Sequence, residues 1–259
     1  MTGSASSHHV VVLAPMPLEM EAVTRAFGLG PARTEEDAFW SGRIGATAVT
    51  ALHTGMGPPV TRASATSLFD PDFPFPRPDH VMSVGICGGL HPDLEVGTLL
   101  NPEFVVDHAT GRRYAHRPPG TTPLAGSLVT MQAVTLDEEL SGRLLSRGAL
   151  GVDMESAAVA EVCEAFGCAW SVYRCIGDRY FDGLLDARLV AMANPDGSPD
   201  VAAVTRLLAD EPDLGPKLRR LAHDSAMAAE RAAEAAVRGC RALGDRRQEP
   251  NGAAHERRT

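Results

Sequence analysis

No apolar run in this 259-residue chain reaches the roughly 18–20 residues needed to cross a bilayer, which argues against a membrane-spanning helix. The opening residues MTGSASSHH lack a basic segment followed by an apolar core, so they do not read as a secretory signal, and a cytoplasmic location is expected. A basic surplus is also missing. The formal net charge of −9 argues against a nucleic-acid surface, which needs a basic patch, but leaves room for a small anionic ligand. The five cysteines include no C-x-x-C pair, and an odd number forms no closed disulfide set. Their neighbours are mostly apolar, which points to buried, reduced thiols. H-E-x-x-H and other paired ligand spacings are absent, so His53, His91, His108 and His116 are expected at the surface or in turns, and neither metal nor cofactor is expected. Neither G-x-G-x-x-G nor G-x-x-x-x-G-K-[ST] occurs, which removes the dinucleotide and phosphate-loop fingerprints. No internal repeat is evident.

What remains is an ordinary globular composition, 44% hydrophobic and 22% charged, in a chain long enough for one α/β domain with a substantial core. Val10–Ala14 is a continuous, mostly β-branched run suited to a strand covered on both faces. Pro15 and Pro17 end it, and a helix is expected from Leu18 to about Ala26. Gly42–Leu52 reads as one or two strands, Val60–Leu68 as a small-residue helix, and the proline-laden 70–78 as a surface loop. His80–Val84 is a further strand leading into a glycine turn, Gly85–Leu90. Strand material follows in 96–106 and 124–134, with a short helix from Leu136 to Leu145. The polar residues 107–123 are expected to form a mobile loop over or beside a site. Near the end, Leu214, Leu218, Leu221, Ser225, Ala228, Ala232, Ala236, Cys240 and Leu243 share one helical stripe. This alternation predicts a layered α/β fold with a parallel or mixed sheet. A single domain over residues 9–244 is expected, between disordered tails 1–8 and 245–259.

The densest chemistry lies in residues 151–178, GVDMESAAVAEVCEAFGCAWSVYRCIGD. Asp153 and Glu155 open a run with helical apolar spacing that Gly167 stops. Residues 169–173 then read as a strand, interrupted by charge at Arg174 and ended by Gly177-Asp178. Two acids, Glu155 and Asp178, thus bracket a helix and a strand. Three further segments could converge on them where strand ends meet glycine turns: APMPLEME, HTGMG and SVGICGGL. The glycines at 85, 88 and 89 would let backbone approach a ligand and offer it amide groups.

In this order, strand then Met-x-x-Glu, TGMG, SVGICGGL, VDMES and a strand ending RCIGD, the segments resemble the nucleoside phosphorylase and nucleosidase superfamily. The resemblance is greatest to its methylthioadenosine/S-adenosylhomocysteine nucleosidase branch and spans roughly residues 10–178. The stretch after Asp182 is similar, less specifically, to nucleosidase-like phosphorylases associated with hopanoid synthesis. The resemblance implies a three-layer α/β/α fold with a central mixed, twisted sheet of the phosphorylase/hydrolase type. It also implies cleavage of a purine nucleoside, adenosine-type and possibly 5′-modified, by a homo-oligomer, with a dimer expected.

The roles it implies agree with the chemistry. Breaking an N-glycosidic bond passes through a ribose with oxocarbenium character. The purine leaves poorly as an anion, so a general acid must protonate N7. Asp178 matches that acid, and burial would let it keep a proton near neutrality. Glu155 matches the residue that takes the ribose hydroxyls, with Met154 packed on the sugar face. Arg174 would orient the acid-bearing segment or pair with a carboxylate. Ile86, Cys87 and Gly88 match the glycine turn at the substrate. Val134 stands where the family carries a base-stacking Phe. Two more departures are Gly177, where a Ser usually precedes the acid, and Ile86, where the glycine turn often holds a Ser.

Glu19 bears on the reaction class. In the hydrolase branch the Glu of Met-x-x-Glu polarises the attacking water, and Met16-Pro17-Leu18-Glu19 places Glu19 there. Phosphorylases present arginines in the first loop and the glycine turn, yet APMPLEM and SVGICGG carry none. Arg62 is the one nearby cation for phosphate. Hydrolysis is therefore the expectation, with phosphorolysis second and a nucleoside-binding protein without turnover third. Read singly, Glu19 and Glu155 are ordinary first-turn helix acids and Asp178 a turn cap; their joint order carries the functional reading.

Overall fold

The computed structural model describes residues 8–32, 39–120, 123–134, 137–183 and 187–248. The expected N-terminal tail lies outside these residues except for His8, as does the end of the expected C-terminal tail, 249–259.

The chain starts with β1 (His9–Ala14), α1 (Pro17–Phe27), β2 (Gly30–Ala32), β3 (Phe39–Ile44), β4 (Thr47–His53) and α2 (Pro58–Ser67). The long strand β5 (His80–Gly89) leads to β6 (Leu99–Leu100), β7 (Phe104–Asp107), β8 (Arg113–Ala115) and β9 (Ser127–Thr130). Then come α3 (Glu138–Ser146), β10 (Ala149–Asp153), α4 (Ser156–Ala165) and β11 (Ala169–Arg179). Two shorter helices, α5 (Ala187–Val190) and α6 (Val201–Asp210), precede the 34-residue α7 (Gly215–Gln248).

All the strands join one 11-stranded sheet in the order β2-β3-β4-β1-β5-β10-β9-β7-β8, with β11 paired to both β5 and β6. β4, β1, β5 and β11 run parallel to one another, whereas β10 meets β5, β3 meets β4 and β6 meets β11 antiparallel. The sheet is therefore mixed, as expected. It is covered on both faces, which is why β1 reads as unbroken hydrophobicity. Val10, Val12 and Ala14 pack with α1 and α7 on one side, while Val11 and Leu13 pack with α2 and α4 on the other. The small-residue stripe of α7 explains its close seat: Ala228, Ala232, Ala236 and Cys240 are all buried.

Several expectations need correction. Gly85–Gly89 is strand, not a turn, because the glycines there accommodate neighbouring groups. A Cβ on Gly85 would overlap the Glu19 carboxylate and the Arg174 guanidinium, and one on Gly89 would meet Ile176 at 2.9 Å. Asp153 ends β10 and does not start a helix; the helix begins at Ser156. Arg174 does not interrupt its strand: β11 runs through it, because three carboxylates satisfy its charge. Within 107–123, residues 113–115 form the terminal strand of the sheet, and no described residue of that segment lines the cavity identified below.

His116 is buried rather than superficial. Its Nδ1 lies 2.9 Å from the Pro102 carbonyl, and its Nε2 accepts the Val172 amide at 3.0 Å. α7 continues to Gln248, past the expected domain end, since a formed helix extends at one backbone bond per residue. Four of the five cysteines are buried and all are free, as their apolar settings suggested. No helix among the described residues is long and apolar enough to cross a membrane. Nor is there a cluster of potential metal ligands among them.

Candidate active site

The first strand delivers Glu19. Pro17 opens α1, where its missing amide costs nothing, and Glu19 folds back over the helix start. Its Oε2 accepts the Met16 amide at 2.8 Å, and its Oε1 accepts the Ile86 amide at 2.7 Å. One backbone amide of the SVGICGGL segment is thus already used by Glu19.

Glu155 stands at the junction of β10 and α4. Its Oε1 accepts the Gly57 amide at 2.9 Å. Gly57 has φ +94°, a conformation that a side chain would strain, so glycine is what lets the HTGMG loop aim that amide.

Arg174 ties the two glutamates together. Only 1% exposed, it places Nη1 3.5 Å from Glu19 Oε1, Nη2 3.1 Å from Glu155 Oε2 and Nε 3.0 Å from Asp153 Oδ2. Asp153 also accepts the Thr130 hydroxyl at 2.6 Å and the Ser156 amide at 3.0 Å. Arg174 further donates to Ser83 Oγ, Ser156 Oγ and the Ile86 carbonyl. One cation faces three carboxylates in a buried site, so full ionisation of all three would leave excess negative charge. Burial raises Glu19 to about 7, partly opposed by Arg174 and reinforced by Glu155. Burial likewise raises Glu155, against the pull of Arg174. Burial opposes the charged guanidinium of Arg174, but the carboxylates outweigh it and its pKa rises.

Asp178 arrives differently. The register of β11 against β5 shifts between Ile176 and Asp178, so Gly177 is the extra residue of a bulge that re-aims the next side chain. A Cβ on Gly177 would lie 3.1 and 3.3 Å from Ile86 Cδ1 and Cβ. The two departures at 86 and 177 are therefore one packing arrangement: the isoleucine occupies space that the glycine leaves. Among the described residues no hydrogen bond reaches the Asp178 carboxyl. Burial raises it to about 7, with nearby Asp182 adding to the effect.

Glu19, Glu155, Arg174 and Asp178 all line one cavity of about 470 Å³, a size suited to a small organic ligand. Met154, Ile86, Cys87, Gly88 and Val134 line it too, so the nine residues matched to the family's site meet here, whereas Gly85 and Gly89 do not line it. Val134 is 42% exposed, consistent with a wall that no large ring covers. Burial pushes the Cys87 thiol well above its ordinary value, so it is a neutral packing group. Sequence reasoning missed Asp153, the third carboxylate on Arg174, and the lining residues Met16, Met56, Ser141, Leu221 and Ser225. The strand parity of VDMES was the available signal for Asp153. Arg62, the cation considered for phosphate, instead bonds Glu161 at 2.8 and 2.9 Å and does not line the cavity.

With this geometry in hand, comparison with known proteins gives consistent results. Residues 9–147 match the family model of the phosphorylase superfamily. The 5′-methylthioadenosine/S-adenosylhomocysteine nucleosidase of Marinomonas sp. (strain MWYL1) is 30% identical over 170 residues, covering 54% of this chain and 72% of that one. The Bacillus subtilis (strain 168) nucleosidase of the same name is 27% identical over 197 residues, 62% of this chain and 82% of its own length. Among solved structures, futalosine hydrolase of Helicobacter pylori strain 26695 superposes with TM-score 0.65 at 17% identity, covering 94% of this chain and all of that one. The Colwellia psychrerythraea 34H nucleosidase in complex with adenine gives 0.66 at 14% identity, covering 92% of this chain and 96% of its own. At such identities the two superpositions show the shared fold alone.

Proposed function

The chain belongs to the phosphorylase superfamily, and from that premise we propose that it is an enzyme, a nucleoside N-ribosyl hydrolase acting on a purine nucleoside of the adenosine type, with or without a 5′ modification. The observation that carries this reading is the convergence of Glu19, Glu155 and Asp178 on one cavity around Arg174. Among the described residues the cations lining that cavity are Arg174 and Arg179, and both are held by carboxylates rather than free for phosphate.

In the proposed cycle Asp178 starts protonated and donates to N7 of the base as the glycosidic bond lengthens. Glu155 already takes one amide and one guanidinium bond, and its remaining lone pairs accept the ribose hydroxyls. Its negative charge also favours the oxocarbenium-like ribose. Glu19 starts ionised, oriented by the Met16 and Ile86 amides, and takes a proton from the attacking water. The products are free base and ribose; Asp178 regains a proton and Glu19 loses one before the next turnover. Met154, whose terminal methyl lies 3.8 Å from where a Cβ on Gly57 would stand, packs on the sugar face.

The test is base release from methylthioadenosine, adenosylhomocysteine, deoxyadenosine, inosine and futalosine, each with and without phosphate. Release from at least one adenosine-type substrate without phosphate is expected. Strict phosphate dependence with ribose 1-phosphate as product would make the chain a phosphorylase, and tight binding without release a binding protein.

A further inference from the structure

The cavity has two unlike ends. Glu19, Glu155, Met154 and Met16 border the proposed ribose end, whereas the Asp178 end continues into α3. A Cβ on Gly88 would lie 3.8 Å from Asp178 Oδ2 and 3.3 Å from Val152 Cγ2. Val152 in turn packs on the cluster of Leu90, Val129, Met131 and Leu144, the last of these from α3. Ser141 lies on α3 one turn before Leu144, lines the cavity and is only 1% exposed. Among the described residues its hydroxyl has no hydrogen-bond partner.

A helical serine ordinarily bonds back to the carbonyl four residues earlier. Here Asp137 O receives the Ser141 amide at 3.0 Å, and the hydroxyl forgoes that carbonyl. A buried hydroxyl left without a partner is unfavourable unless something else meets it. Glu138, one turn earlier on α3, also lines the cavity and is exposed at its rim.

We propose that Ser141 is a base-recognition residue whose hydroxyl bonds the 6-substituent of the bound purine, with Glu138 adding an acceptor at the rim. This rests on the assignment of Asp178 to N7. On a purine the 6-substituent adjoins N7 on the same edge, so the wall running from Asp178 past Val152 to α3 reaches that position next. An exocyclic amino group would donate to the Ser141 hydroxyl and to the Glu138 carboxylate.

Calorimetric binding of free adenine and of unsubstituted purine tests this, with wild type, Ser141→Ala and Glu138→Gln compared. Wild type should favour adenine, and Ser141→Ala should lose about tenfold in adenine affinity while purine affinity holds. Glu138→Gln should lose a smaller factor. Because the hydroxyl has no partner among the described residues, Ser141→Ala should melt at or above the wild-type temperature. An unchanged adenine-to-purine ratio in Ser141→Ala would overturn the assignment. So would equal losses for both bases with a lowered melting temperature, or no base binding by wild type. The readout needs no bond cleavage: binding discrimination without base release would refute the proposed hydrolase and spare Ser141, and base release with an unaltered ratio would do the reverse.

Discussion

The two ends of the cavity are built on opposite principles. At the ribose end Arg174 meets three carboxylates, two serine hydroxyls and a carbonyl, and each glutamate also holds one or more backbone amides. At the proposed base end neither the Asp178 carboxyl nor the Ser141 hydroxyl has a hydrogen bond among the described residues, and the apolar Leu90, Val134, Met131 and Val152 line the cavity together with Glu138 at its rim. The first has its hydrogen bonds and ion pairs formed without a ligand, the arrangement that electrostatic stabilisation of a charged transition state calls for. The second leaves its polar groups to the ligand. On the proposed reading, the crowded end serves the reaction class and the sparse one the choice of base.

The largest effect should come from the sparse end. Asp178→Asn should lower kcat/KM for base release by about 10²–10⁴-fold, the usual worth of a general acid; a near-wild-type rate would remove Asp178 from that role. The same variant separates chemistry from stability. A carboxyl whose folded pKa is raised to about 7 has its stabilising contribution intact below the unfolded value and loses it as pH rises through 7. Asp178→Asn should therefore melt higher than wild type at pH 8 and equally at pH 4; a lower melting temperature at pH 8 would show that the carboxylate is held by favourable contacts.

At the crowded end Arg174→Met would leave three buried carboxylates without their cation. Chemical denaturation should show a loss of about 3–5 kcal/mol; a loss below 1 kcal/mol would mean that the cluster carries no structural charge balance. Glu19 must be ionised and Asp178 protonated, yet both sit at about 7. The pH profile of kcat/KM should therefore be a narrow bell centred near neutrality, with limbs that belong to the coupled site. A plateau from pH 5.5 to 8.5 would break the proposed division of protonation states.

The smallest effect joins the two ends. Gly177→Ser should cost about 1–3 kcal/mol through crowding against Ile86, and adding Ile86→Ala should recover most of it. Strict additivity in the double-mutant cycle would show that positions 86 and 177 are independent.

Much of this was legible in the sequence, for identifiable reasons. Helical apolar spacing located α4 and α7, because burial on a fixed face leaves a periodic trace; prolines and turns set off α1 and α2, and apolar or β-rich runs located β1, β5 and β11. The segments bearing Glu19, Glu155 and Asp178 stood out because each joins an acid to a strand end or a helix start. The resemblance anticipated that Arg174 would pair with a carboxylate, but not that three would surround it. A charge inside a strand reads as an interruption, and glycine in SVGICGG reads as a turn, although Gly85 is there to clear the Glu19 and Arg174 side chains. Both signals depend on partners distant in sequence. Ser141 left no trace at all, since an exposed helical serine and a buried unpartnered one are spelled alike.

The most direct test of the account compares wild type with Glu19→Gln in rigorously phosphate-free buffer, measuring base and reducing sugar from a nucleoside the protein accepts. Wild type should release equal amounts of free base and reducing sugar, and Glu19→Gln should be slower by roughly 100-fold or more. Wild-type release that begins only when phosphate is added, with sugar phosphate as product and Glu19→Gln unimpaired, would contradict it.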